Sequence, residues 1–155
     1  MKKLILFFFV ILLAHKPHLY SQSGWIAQHS GTTVKLNKVF FINSHTGWIV
    51  GDSGRIIKTT NDGANWFSQN SNTTHTLVSV HFINEFTGYI TGGNKNLFTF
   101  SFIKILKTTN GGTDWILVYD SADLENWVSD INFLNSLTGF VICEGVMGLK
   151  LPEEF

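Results

Sequence analysis

Short apolar runs alternate with polar turns along most of this chain. Runs rich in β-branched and aromatic residues occupy Lys38–Ile42 and Trp48–Val50, and the polar segment NSHTG lies between them. Two further extended runs, Arg55–Thr59 and Trp66–Gln69, each follow a turn that combines glycine with aspartate or asparagine. Runs of this composition favour β-strands, and such turns reverse the chain. The pattern therefore predicts four short antiparallel strands within 41 residues.

The same pattern occurs a second time, and a third copy of it begins further along the chain. The copies open with VFFINSHTG at Val39, VHFINEFTG at Val80 and INFLNSLTG at Ile131, so their starts are 41 and 51 residues apart. Repeats of this length are typical of stacked or radially arranged units, and four antiparallel strands form one blade of a β-propeller. The longer interval contains an insertion, Asn96–Ile105, that alternates polar and apolar residues. We expect it to lengthen a hairpin, either packed on a neighbouring blade or protruding as a contact surface.

The alignment of the copies predicts an incomplete propeller over residues 22–155. WIAQHSGTTVKL, which begins at Trp25, matches WFSQNSNTTHTL, which begins at Trp66, so Trp25 should start the last strand of a preceding blade. The third copy runs through Cys143 into EGVMGLKLPEEF without a closing tryptophan, which favours a fragment of a longer protein. The predicted fold class is all-β: a partial β-propeller of about two complete four-stranded blades plus parts of two others. Self-association through open blade edges is expected.

The first 21 residues are typical of a secretory signal peptide. Lys2 and Lys3 precede an unbroken apolar run from Leu4 to Ala14, and a polar stretch follows, with cleavage expected after Ser21. This run of 11 residues is too short for a membrane-spanning helix, which needs about 20. We therefore expect a secreted, periplasmic or cell-surface protein with no membrane span after cleavage.

Charge argues against nucleic acid and anionic membranes as partners. The chain has 11 lysines and arginines against 11 aspartates and glutamates, so no basic surface is expected. The only cysteine, Cys143, lies in the apolar run GFVIC and is interpreted as a small buried residue rather than a reactive thiol. A protein partner of unknown identity is the remaining expectation.

A polar box recurs in the second half of each complete copy. Its members are Thr59, Asn61, Gly63 and Trp66 in TTNDGANW, and Thr108, Asn110, Gly112 and Trp115 in TTNGGTDW. The spacing resembles the Asp-box, S-x-D-x-G-x-x-W, of the bacterial neuraminidase repeat, with asparagine in place of aspartate. The amide oxygen of asparagine can still accept the backbone hydrogen bonds of a tight turn.

Together with the motif F-I-N-x-x-T-G ahead of it, the box resembles the photosystem II stability/assembly factor-like family of repeat propellers. This resemblance covers the chain from Trp25 to about Gly145. It implies a non-catalytic scaffold that binds or assembles other proteins. Family members that act on photosystems are expected to present a basic patch, whereas this chain has one arginine, Arg55, and scattered lysines. A photosynthetic role is therefore not inferred.

The alternative is a glycan-binding or glycoside hydrolase propeller, because sialidases carry the same box. A sialidase holds its substrate carboxylate with three arginines, and one arginine cannot supply them. Other glycosidases need two carboxylates that face each other across the bond. The candidates are Asp52, Asp62, Glu85, Asp114 and Asp120. Three of these lie in turn sequences, where aspartate commonly stabilises the turn, so we predict no enzyme and no catalytic residue.

Histidines and aromatic residues are interpreted as structural. His15 and His18 belong to the predicted leader, and the others, His29, His45, His75 and His81, occupy different repeat positions. His45 matches Phe86 and His81 matches Phe40, which favours a space-filling or surface role, so no metal or cofactor site is predicted. Two aromatic sets recur at fixed repeat positions. Trp25, Trp66 and Trp115 are expected to pack between blades, and Trp48, Tyr89 and Phe140 are expected in the core.

Overall fold

The computed structural model describes Gly24 and residues 27–94, 102–121, 127–144 and 149–150. Within these residues, 11 strands form three antiparallel sheets, and none of them forms a helix long and apolar enough to cross a membrane. The predicted signal peptide lies outside the described residues, as does Trp25. Residues 27–35 form no strand, so the strand expected to begin at Trp25 does not extend into them.

Each sheet corresponds to one copy of the repeat, and its strands follow chain order. Blade 1 consists of β1 (Leu36–Phe41), β2 (Gly47–Gly51), β3 (Ile56–Thr59) and β4 (Phe67–Gln69). Blade 2 consists of β5 (Thr76–Phe82), β6 (Gly88–Asn94), β7 (Phe102–Thr108) and β8 (Ile116–Ser121). Blade 3 consists of β9 (Trp127–Phe133), β10 (Gly139–Glu144) and β11 (Leu149–Lys150). The four strands predicted for the repeat are thereby confirmed.

The insertion lengthens the second hairpin of blade 2. Strands β6 and β7 have seven residues each, whereas β2 and β3 have five and four. Gly93 pairs with Ile103 and Asn94 pairs with Phe102, and the chain between these strands lies outside the described residues. Ile103 and Ile105 are fully buried in a cluster that includes residues of blade 3. The prediction of a longer hairpin is confirmed, and its described end packs against blade 3, whereas residues 96–101 of the insertion lie outside the described residues.

The core consists of two apolar layers, each between consecutive blades. The first layer joins Trp48, Val50 and Ile56 of blade 1 to Leu77, Val80, Phe82, Ile90, Leu106 and Trp115 of blade 2. The second joins Tyr89, Ile103 and Ile105 of blade 2 to Val128, Ile131 and Val141 of blade 3. In the first layer the rings of Trp48 and Phe82 stack with centroids 3.5 Å apart. Packing between blades, predicted for Trp115, is confirmed.

The third copy continues further than its sequence indicates. Strand β11 pairs with β10 so that Lys150 lies opposite Phe140. Lys58 lies opposite Trp48 in blade 1, and Lys107 lies opposite Tyr89 in blade 2, in the same register. The segment EGVMGLKLPEEF no longer resembles the other copies in sequence, yet it still supplies the third strand of a blade.

Candidate functional site

Three equivalent turns join the first two strands of the blades, and we call residues 42–46, 83–87 and 134–138 the turn surface. In the first turn, Asn43 Oδ1 accepts hydrogen bonds from the backbone N–H groups of His45 and Thr46, at 2.9 and 2.8 Å. Asn84 and Asn135 repeat this arrangement. A backbone hydrogen bond of 2.9 to 3.1 Å closes each turn. The asparagine of the F-I-N-x-x-T-G motif therefore fixes the turn through its own side chain.

The motif ends in glycine because an aromatic ring occupies the space of a side chain. The phenylalanine that ends the first strand lies over the glycine that begins the second, in the pairs Phe41–Gly47, Phe82–Gly88 and Phe133–Gly139. A Cβ atom at each glycine would come within 2.6 to 2.7 Å of that ring. A larger residue would force the ring out of place, so the motif couples the turn to the packing beneath it.

The tips of the turns are exposed and mostly apolar. Phe86, Leu134 and Leu137 are all largely exposed. His45 occupies the repeat position of Phe86 and is also exposed. Asn43 Nδ2 donates to Glu85 Oε1 at 2.9 Å, which links the first two turns. The turn surface is thus a series of fixed turns that present apolar side chains to solvent.

The polar boxes support these turns. In the second box, Thr108 Oγ1 accepts a hydrogen bond from Gly112 N at 2.9 Å, and Asn110 Oδ1 accepts one from Asp114 N at 2.9 Å. The first box repeats both contacts with Thr59 and Asn61. The hydrogen bonds predicted for the two asparagines are therefore confirmed. Each box also donates a backbone hydrogen bond to a turn tip, from Asp62 N to His45 O and from Gly111 N to Phe86 O.

Three side chains of blade 1 donate hydrogen bonds to one carbonyl oxygen of the second box. Gly111 O accepts hydrogen bonds from Lys58 Nζ at 3.0 Å, and from Trp48 Nε1 and Gln69 Nε2 at 3.4 Å. Lys58 Nζ also lies 5.0 Å from the centroid of the Trp48 ring. Burial lowers the pKa of Lys58, and the negative charge of Glu85 partly offsets that shift. This contact holds blade 2 in place behind its exposed turn.

A polar cluster links the first strands of all three blades. Lys38, Ser79 and Asp130 precede the valine or isoleucine that opens each copy, so they share one repeat position. Asp130 Oδ1 accepts hydrogen bonds from Ser79 Oγ at 2.5 Å and from Lys38 Nζ at 3.1 Å. Burial would raise the pKa of Asp130, but the hydrogen bonds from Ser79 and Lys38 and the charge of Lys38 outweigh burial and lower it. Sequence reasoning missed this cluster, although the shared repeat position could have indicated it.

Acidification is expected to weaken this link between blades. Because the pKa of Asp130 is lowered in the folded chain, its stabilising contribution is fully present above the ordinary pKa of an aspartate and is lost as the pH falls through the folded pKa. We expect Asp130→Asn to lower the free energy of unfolding at neutral pH. In the variant, this free energy should also change less as the pH is lowered. Urea unfolding at neutral and acidic pH measures both effects. An unchanged acid dependence in the variant would contradict this role of Asp130.

The histidines for which a structural role is predicted take such positions. The ring of His81 lies between those of Phe40 and Phe133, at centroid distances of 4.9 and 5.4 Å. Burial lowers the pKa of His81, whereas Asp130 raises it and Lys38 lowers it further. His45 Nδ1 contacts Asp62 on the exposed turn surface. Among the described residues, no group of three or more histidine, cysteine or acidic side chains is placed to hold a metal ion.

The five candidate carboxylates each contact a different partner. Those partners are Asn37 for Asp52, His45 for Asp62, Asn43 for Glu85, Asn110 for Asp114 and Lys104 for Asp120. Four of these contacts lie within one blade, and the contact between Asn43 and Glu85 links the turns of blades 1 and 2. Cys143 is half-buried beside the second apolar layer, and burial raises the pKa of its thiol.

No protein-family model and no curated protein matches this sequence. Solved structures do match. YCF48 bound to D1 peptide has a TM-score of 0.59 and 24% sequence identity, and the match covers 72% of this chain and 34% of that one. YCF48 from Cyanidioschyzon merolae has a TM-score of 0.64 and 16% identity, and the match covers 80% of this chain and 39% of that one.

The fold is a partial β-propeller. YCF48 is a photosystem II assembly factor with a propeller fold, so the predicted resemblance to that group is confirmed at the level of the fold. This chain spans only 34% and 39% of the length of the two YCF48 structures. Three consecutive blades are present in its described residues.

Proposed function

We propose that this chain is an exported propeller module that binds a peptide segment of another protein through the turn surface. One observation carries the proposal: rigid turns at equivalent positions present Phe86, Leu134 and Leu137 to solvent. A structure of YCF48 with a D1 peptide supports peptide binding by a propeller of this fold. Export rests on the leader-like first 21 residues. The module acts by binding, without catalysis.

Apolar tips and fixed turns suit an apolar peptide segment. Burying one phenylalanine or leucine side chain contributes about 1.5–3 kcal/mol. The turns are fixed by asparagine and by the hydrogen bond from Gly111 N to Phe86 O, so binding would require little ordering of this surface. The partner is therefore expected to offer two or three apolar side chains to the turn surface.

Phe86→Ser is expected to weaken such binding roughly tenfold or more, as the loss of a central aromatic anchor does in other interfaces. The ligand is obtained by selecting a displayed library of random peptides on the full chain. The dissociation constant of the most enriched peptide is then measured by fluorescence anisotropy. Phe67→Ser is the matched control, because Phe67 is 64% exposed on β4 and Phe86 is 65% exposed on the turn surface.

The control should leave the dissociation constant unchanged. Circular dichroism establishes that both variants keep the strand content of the parent chain. The proposal is wrong if no peptide is enriched, if the enriched peptides lack apolar residues, or if the two serine variants weaken binding equally.

A further inference from the structure

The first blade exposes a face whose equivalents are buried inside the chain. We call this the leading face; Val39 and Phe41 on it are exposed, and Ile49 and Trp66 beside them are half-buried. Val39 is 52% exposed, whereas Val80 at the same position of blade 2 is 1% exposed because it packs against blade 1. The leading face therefore has the composition of a blade interface but no blade against it among the described residues.

The third blade exposes the opposite half of the same interface. We call this the trailing face, and it contains Phe140 and Ile142. Ile142 is 54% exposed, whereas Val50, at the same position of blade 1, is 0% exposed because it packs against blade 2. Phe140 occupies the position of Trp48, which is buried in the same layer. The two end faces thus continue the series of blade contacts that already exists within the chain.

The order of the repeat also continues across the proposed contact. Lys58 of blade 1 donates to the box of the following blade at Gly111 O. The backbone register of β11 places residue 150 at the position of Lys58, on the blade that carries the trailing face. In the first box, the position of Gly111 is taken by Asp62. A trailing face docked on a leading face would therefore set the Lys58 position of one copy beside the first box of the other copy, as at the internal junction.

We propose that two copies of this chain associate head to tail, with the trailing face of each copy on the leading face of the other. The three blades in the described residues of each copy would together make a ring of six, within the range of about four to eight blades that closed propellers contain. A head-to-tail interface closes into a ring when its rotation allows it. The contacts formed would match those that blades 1 and 2 make within one chain, so the second copy would supply the blade that each end face lacks among the described residues.

The test uses the full chain and two charge substitutions, Val39→Asp on the leading face and Ile142→Asp on the trailing face. Analytical ultracentrifugation should show the parent chain as a dimer that does not grow with concentration. Each variant alone should sediment as a monomer. An equimolar mixture of the two should recover a dimer, because it contains one intact leading face and one intact trailing face. Phe86→Ser should remain a dimer, which separates this inference from peptide binding at the turn surface.

Four results would overturn the inference: a monomeric parent chain, growth of the parent into ever larger assemblies, dimers of either aspartate variant alone, or a mixture that stays monomeric. Both substituted side chains are more than half exposed, so the fold of each blade should survive. Thermal unfolding of the parent chain provides a measurement without variants. Its midpoint should rise with protein concentration if copies associate in the folded state, and a constant midpoint counts against the dimer.

Discussion

Trp115→Ala is expected to lower the free energy of unfolding by about 3–5 kcal/mol, the usual cost of removing a large buried aromatic side chain. Trp115 is buried in the first apolar layer, where its ring meets that of Phe82 edge to face at a centroid distance of 5.9 Å. Its removal would leave a cavity between blades 1 and 2 that the surrounding strands cannot fill. Urea unfolding followed by tryptophan fluorescence and circular dichroism measures the change.

Trp66→Ala is the matched control, because Trp66 has the same repeat position in blade 1. It is half-buried and packs against Phe41 on the leading face, so its loss should cost less when the chain is dilute and monomeric. If two copies associate as inferred, the cost at Trp66 should increase with protein concentration, whereas the cost at Trp115 should not. Equal costs for the two tryptophans in the monomer would contradict the difference in their surroundings.

Thr108→Val is expected to cost about 1–3 kcal/mol, although valine has nearly the same shape as threonine. Thr108 is buried, and its Oγ1 accepts hydrogen bonds from Gly112 N at 2.9 Å and from Asn110 N at 3.3 Å, and donates to Asn110 Oδ1 at 3.0 Å. Valine would leave a buried N–H group without an acceptor. The second box should therefore loosen, and unfolding curves in urea detect the loss.

Thr109→Val is the control for this change, because Thr109 is the exposed neighbour of Thr108 in the same box. Its free energy of unfolding should stay within about 0.5 kcal/mol of the parent value. Peptide binding supplies a second readout, since Gly111 of the box donates a hydrogen bond to the carbonyl of Phe86. A Thr108→Val variant as stable as the Thr109→Val variant would show that the box does not depend on this hydroxyl.

Much of the fold follows from the repeat, and the candidate surface follows from it less completely. The strands, the two boxes and the longer hairpin were predictable, because each depends on residues close together along the chain. The exposed tips Phe86, Leu134 and Leu137 were not predicted as a surface. An apolar residue next to a strand can be either buried in the core or exposed, and its sequence context does not distinguish the two. The strand Leu149–Lys150 was missed because the sequence around it lacks the glycine-rich turns and the closing tryptophan of the other copies.

The repeating unit of this protein follows from local sequence patterns alone. Alternation with a period of two residues specifies the strands, and asparagine, threonine and glycine at fixed spacing specify turns whose hydrogen bonds span only two to four residues. These interactions are complete within one blade, so they can be recognised from a short stretch of the chain.

Which of the equivalent faces are buried and which are exposed depends instead on the packing of the blades. Val39 and Val80 occupy the same repeat position, yet Val39 is exposed and Val80 is buried, because among the described residues a preceding blade packs only against Val80. Likewise, Lys38 and Asp130 form an ion pair across 92 positions of the chain. Burial and pairing of this kind depend on how the blades are placed around one another, and local sequence patterns carry no record of that placement.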